Sequence, residues 1–187
     1  MSIEAGLCKY AELNDKIKQE LRTKKKVTIT AVNGQRYIGC ALDAGKTIQV
    51  HGTPGNDMAC YLNGGKVEVF GNCQDAVGNT MNGGEIVIHG HAGDAMGYGM
   101  RDGRIFVETN VACRGGIHMK EFEQMKPVLV IGRNAGSFLG EYMAGGTIVL
   151  LGLGMKRGES CLAPTAPPVC MVARSLCGAA SQGEHQP

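Results

Sequence analysis

Tryptophan is absent from the chain, and aromatic residues of every kind make up only 5% of it. A core built on large rings is excluded, so apolar burial has to come from aliphatic side chains and methionine. Long apolar runs are missing too, and the N-terminus carries no secretory apolar segment, so no membrane span is expected and the chain is assigned to the cytoplasm. Net charge is small as well: 19 Lys and Arg against 17 Asp and Glu leave +2, and Lys24-Lys25-Lys26 is the one basic run. A solvated helix end accounts for that run, and nucleic acid is not expected as a partner. The cysteines Cys8, Cys40, Cys60, Cys73, Cys113, Cys161, Cys170 and Cys177 form no Cys-x-x-Cys pair and no close Cys/His spacing. That pattern argues against a zinc or iron–sulfur site and suits free thiols in a reducing compartment.

Glycine, by contrast, is abundant at 29 residues, and it is periodic. Leu62-Asn63-Gly64-Gly65-Lys66-Val67-Glu68-Val69-Phe70-Gly71 returns as Met81-Asn82-Gly83-Gly84-Glu85-Ile86-Val87-Ile88-His89-Gly90, and again as Met100-Arg101-Asp102-Gly103-Arg104-Ile105-Phe106-Val107-Glu108, at a period of 19 residues. Thr47–Gly52 sits one period earlier and Met119 one period later. A four-residue insertion is then read before Val128–Gly132, and the last clear copy is Met143–Gly152. A short alternating strand and a glycine turn in every repeat specify a solenoid. The fold class expected is therefore all-β: a single-stranded parallel β-helix with a short N-terminal helical cap. The absence of aliphatic hexads makes the right-handed form the better choice.

Alternation within the strands gives two inward columns, Ile48, Val67, Ile86, Ile105, Val128, Ile148 and Val50, Val69, Ile88, Val107, Val130, Leu150. Gln49, Glu68, Val87, Phe106, Leu129 and Val149 are assigned to the outer face, so the late repeats are apolar on both sides. Met58, Val77, Met96 and Leu139 supply a further inner column, as do Leu62, Met81, Met100, Met119 and Met143. Methionines at one register are core filling rather than a cofactor box. The glycines are corners, where φ > 0 is needed without a Cβ clash.

Three regions follow: residues 1–45 as helix and capping strands, 46–158 as repeats, and 159–187 as an irregular tail. Leu13, Ile17 and Leu21 lie at helical spacing between Glu12–Asp15 and the lysine run, and Val27-Thr28-Ile29-Thr30 follows as a strand. This unit caps the first coil, whose edge would otherwise be unpaired. The tail Ala163–Cys170 carries no strand or helix pattern. Codons chosen for Pro168–Ala180 and read two nucleotides later spell Gly-Met-His-Gly-Gly-Lys-Ile-Phe-Val-Arg-Gly-Ser, another copy of the repeat. The expectation is a frameshifted final coil; an intact frame across the codons for Gly158 to Pro164 on resequencing would sink it.

No catalytic, cofactor-binding or metal-ligating residue is assigned. His51 and His89 share an outward column with Phe70, Glu108, Ile131 and Leu151, which specifies no carboxylate–histidine geometry. Asp75 and Asp94 recur at a turn and are read as Asx-turn residues rather than as acids of a carbohydrate-active enzyme. His118 is expected to hydrogen-bond the irregular loop that follows it.

Asn33–Gly39, His51–Asp57, Gly71–Gly84, Gly116–Glu121 and Gly140–Gly146 together resemble the glycine-rich β-helix domain of glutamate synthase, over roughly residues 5–158. That domain is C-terminal in the large subunit and free-standing in split, archaeal-type systems; a scaffold component of formylmethanofuran dehydrogenase shares the repeat. The resemblance implies a right-handed, non-catalytic scaffold of an oxidoreductase of glutamate biosynthesis and nitrogen metabolism. Glutaminase and FMN/iron–sulfur synthase subunits would be its partners, and FMN and the cluster would reside in them rather than here. Cys8, preceded by seven residues, is no N-terminal amidotransferase nucleophile. The Ile117–Met125 insertion with outward Phe106, Leu129 and Val149 is the expected contact surface, and self-association through the open end stays an alternative. Two departures from the repeat are Asp102, where glycine is expected, and Gly115, where an aliphatic residue is expected.

Overall fold

The computed structural model describes residues 2–153 and 170–172. One strand per coil enters a single nine-stranded sheet in chain order: β1 (Ser2–Glu4), β2 (Lys26–Asn33), β3 (Thr47–Thr53), β4 (Asn63–Phe70), β5 (Asn82–Ile88), β6 (Asp102–Val107), β7 (Val128–Ile131), β8 (Thr147–Leu150) and β9 (Cys170–Val172). Every neighbouring pair is parallel. A parallel neighbour cannot be reached by a tight hairpin, so each crossover runs around the coil, and the sheet becomes one wall of a β-solenoid of about seven turns. β9 lies in the segment without a strand pattern and pairs with β8 from Ile148↔Cys170 to Leu150↔Val172. The displaced reading frame otherwise concerns residues outside those described.

The core is aliphatic and sulfur-rich, as the lack of aromatics requires. Ile48, Val67, Ile86, Ile105 and Ile148 are fully enclosed, as are Met58, Val77 and Met96 from one corner and Leu62, Met81, Met100 and Met119 from the other. Each such side chain contributes roughly 1.5–3 kcal/mol on leaving water. Gly115 does leave a gap in its inner column, and Val111 fills it: a Cβ on Gly115 would lie 2.9 Å from Val111 Cγ1. The equivalent positions one coil away on either side are Ala92 and Ala135, so the larger valine compensates for the smaller glycine.

At β7 the structure corrects the expected register. Coil-to-coil separations are 19 residues from β3 to β6 but 24 across the interruption, so the insertion is five residues long, not four. Ile105 pairs with Leu129 and Val107 with Ile131, while Phe106 pairs with Val130. Leu129 and Ile131 are fully buried, and Val128 and Val130 are half-buried on the outer face. An extra residue in a period-2 strand exchanges its two faces, and the β-branched run Val128–Ile131 looks alike from both.

Helix α1 (Tyr10–Thr23) starts ahead of the expected Glu12–Asp15 and buries Leu13, Ile17 and Leu21 against the first coil. Lys24 ends it in an extended conformation, its N–H donating to Glu20 O. Buried Gln35 fastens this cap: its Oε1 accepts the Asn33 N–H at 2.7 Å and its Nε2 donates to Gly6 O at 2.9 Å.

One corner is left-handed at three alternate positions per coil. Tyr37, Asp57, Ala76, Ala95, Arg114 and Phe138 form the first column, and Ala41, Tyr61, Thr80, His118 and Tyr142 the third, all at φ between 52 and 63°. The middle column is glycine except at Ala59. Its positions face the core, where a Cβ on Gly78 would stand 2.7 Å from Ile105 Cδ1. Glycine is needed there for space as well as for φ.

Candidate functional site

Four features stand on the outer surface. On the first strands, Gln49 Nε2 donates to Glu68 Oε2 at 2.9 Å. His89 lies between two carboxylates, with Nε2 3.3 Å from Glu68 Oε1 and Nδ1 3.3 Å from Glu108 Oε2. Phe70 is sandwiched between His51 and His89 at centroid distances of 4.6 and 4.9 Å. A carboxylate–histidine cluster therefore exists where none was expected. The 19-residue step to Glu108 was readable, whereas the reach to Glu68 depends on the ring leaning into the neighbouring column. The Gln49 hydrogen bond, followed by that of His89, holds the Glu68 carboxyl below the usual carboxylate range.

A second feature binds coil to coil. Asp75 Oδ1 accepts the Asp94 N–H at 2.9 Å, and Asp94 Oδ1 accepts the Cys113 N–H at 2.9 Å. Asn72 and Asn110 do the same for His91 and Asn134 at 3.1 and 3.2 Å. Asp75 and Asp94 are thus rungs of an inter-coil ladder rather than residues of isolated turns.

Aromatic side chains gather at the left-handed corner. His118 stacks on Tyr142 at 5.1 Å and meets Tyr98 edge-on at 5.5 Å, and Arg114 covers Phe138 at 5.4 Å. His118 therefore belongs to an exposed aromatic cluster. Tyr142 is 69% exposed.

The insertion is the fourth feature. Phe122 N–H donates to Met125 O at 3.1 Å and Met125 N–H to Phe122 O at 2.9 Å, closing a tight turn that leaves Phe122 63% exposed. Asp102, the departure from glycine, anchors the turn by accepting the Lys126 N–H on Oδ1 at 3.2 Å. Glu121 Oε2 accepts the Gly146 N–H at 3.0 Å. Of the expected contact surface, residues 120–125 are exposed and Phe106 and Val149 half-buried, but Ile117, Met119 and Leu129 belong to the core, with Val130 taking the outer place given to Leu129. Beside the turn opens a recess of about 520 Å³, lined by Gly64, Gly65, Gly84, Gly103, Lys66, Glu85, Asp102, Arg104, Gln124 and Lys126.

Burial pushes the Cys73 thiol up to about 12, and burial together with a hydrogen bond to Cys40 does the same for Cys60, so neither is a nucleophile near neutrality. Among the described residues no group of three or more His, Cys, Asp or Glu side chains is arranged to hold a metal ion. No helix among them is long and apolar enough to cross a membrane.

The GXGXG motif model matches residues 9–163 and so takes in every coil from α1 through β8. The chain belongs to the GXGXG motif family. That family is found in the C-terminal region of glutamate synthase large subunits, which makes this a glutamate synthase-related domain. An uncharacterised protein of Methanocaldococcus jannaschii is 50% identical over 161 residues, covering 84% of this chain. The GXGXG chain spans only 62% of that protein's length. No solved structure gives a significant match.

Proposed function

We propose that this GXGXG chain is a non-catalytic scaffold of a glutamate synthase-type assembly, holding glutaminase and FMN/iron–sulfur synthase partners in register. The observation that carries the reading is the extent of the family match, residues 9–163, across the solenoid. Supporting it, the outer polar residues are committed to the coil stack itself: Asp75 and Asp94 spend their carboxylates on the next coil's amides, and Asp102 on the insertion. The partner-facing candidates are exposed side chains outside that ladder, namely the aromatic corner at Tyr98, His118, Phe138 and Tyr142 and the turn at Phe122. Aromatic rings flanked by arginine are the usual anchors of protein interfaces. No observation favours the formylmethanofuran dehydrogenase assembly or free-standing carbohydrate chemistry.

Affinity capture of the tagged chain from its native cytosol, with mass spectrometry and a visible spectrum, tests the reading. Co-recovery of a glutaminase and a yellow-brown flavin/iron–sulfur protein supports it. Recovery with a molybdenum- or tungsten-containing protein would transfer the scaffold to another pathway. A colourless chain with no protein partner would overturn it.

A further inference from the structure

The recess beside the insertion is floored by main chain. A Cβ on Gly84 would stand 2.2 Å from Gly65 O, and one on Gly103 would stand 2.8 Å from Gly84 O, both main-chain atoms. Sheet register sets Lys66, Glu85 and Arg104 side by side on adjacent strands along one wall. The insertion adds Gln124 and Lys126 to the lining. The charges in this recess are unequally committed. Lys66 Nζ pairs with Glu85 Oε1 at 2.6 Å, and Asp102 is held by the Lys126 backbone N–H. The Arg104 guanidinium and the Lys126 ammonium are exposed and engage no described residue.

Two uncommitted cations thus face one recess whose two carboxylates already have donors. Loops inserted into a repeat architecture concentrate on the binding face, and the 24-residue step here interrupts the 19-residue period that otherwise runs from β3 to β8. We propose that this recess is a binding site for a small dianion, a phosphate or a dicarboxylate, held between Arg104 and Lys126 with Gln124 donating at its rim. Arginine's planar fork matches two oxygens of either anion, and lysine adds a point charge. The site is independent of which assembly the scaffold serves.

Isothermal titration of the full chain at low ionic strength, with inorganic phosphate in one series and malonate in another, tests the site and separates the two sources of dianion. One saturable site is expected for at least one of them, weakening as salt screens it. Arg104→Gln and Lys126→Gln should each weaken binding by about ten-fold, the loss of one charge-assisted contact. Glu85→Gln should tighten it by removing a carboxylate beside Arg104 and freeing Lys66, an effect that general loosening of the fold would not give. Unchanged thermal midpoints keep folding out of the comparison. Absence of saturable binding with both anions would overturn the proposal. So would binding that the Arg104→Gln/Lys126→Gln pair leaves intact, or that Glu85→Gln leaves unchanged.

Discussion

Bulky side chains at Tyr37, Tyr61, Phe138 and Tyr142 sit on left-handed backbone, each at a cost of roughly 1–2 kcal/mol relative to glycine. The fold accepts that cost where the side chain points outward and, at every inward position but Ala59, uses glycine instead. Gly39 and Gly78 share the inward column at φ +74° and +67°, but a Cβ would meet its nearest neighbour at 3.2 Å in the first and 2.7 Å in the second. Alanine at either position carries the same backbone penalty, so the difference isolates packing. Chemical denaturation should show Gly78→Ala destabilised by about 2–4 kcal/mol and Gly39→Ala by about half of that. Equal losses would mean that strain rather than space selects glycine. A second residue-scale effect belongs to Glu68. Its folded-state carboxyl titrates below the ordinary 4.5, so its contribution is complete above about 4.5 and fades as pH falls through the lowered value. Glu68→Gln should therefore lower the thermal midpoint at pH 7 and make no difference near pH 2, whereas an equal shift at both values would assign the loss to packing.

Elements built on a strict repeat were legible in the sequence because each strand repeats its neighbour's alternation. β3 to β6 and β8 follow the expected columns, and the α1 cap follows from Leu13, Ile17 and Leu21. β7 was not, because Val128-Leu129-Val130-Ile131 is apolar throughout and its register depends on an insertion whose length the sequence does not fix. The site was harder still. Asp102 stood only as a departure from the repeat, and its bond to the Lys126 N–H gives it an anchoring role, while the His89 cluster needs side-chain directions that no spacing supplies. Mutation can check the corrected register directly. Leu129→Ala should cost about 2–5 kcal/mol in denaturant unfolding, while Val130→Ala on the outer face should cost less than about 1 kcal/mol. The reverse order would restore the register expected from a four-residue insertion.

At the scale of the whole molecule, a solenoid is a stack in which each coil touches only its neighbours, so its ends carry a burden that its middle does not. β2 is protected on its open side by β1, through Ser2↔Thr28 to Glu4↔Thr30, and from above by α1, whose Leu13, Ile17 and Leu21 close the first coil. Residues 2–24 thus do two jobs: they satisfy the backbone groups of an edge strand and cover the apolar end of the core. Removing them should leave the later coils folded, since those coils draw their contacts from β3 onward. It should also expose β2 as a pairing template. The expected outcome is a truncated chain with native-like β circular dichroism that associates as concentration rises in light scattering, while the intact chain keeps one mass over the same range. Thr28→Lys and Thr30→Lys in the truncated chain should return it to a monomer, because like charges brought side by side on the outer face of a new strand–strand junction oppose pairing. If the truncated chain stays monomeric without those lysines, the cap contributes stability but not edge protection. If it unfolds outright, the coils are coupled more tightly than nearest-neighbour stacking allows.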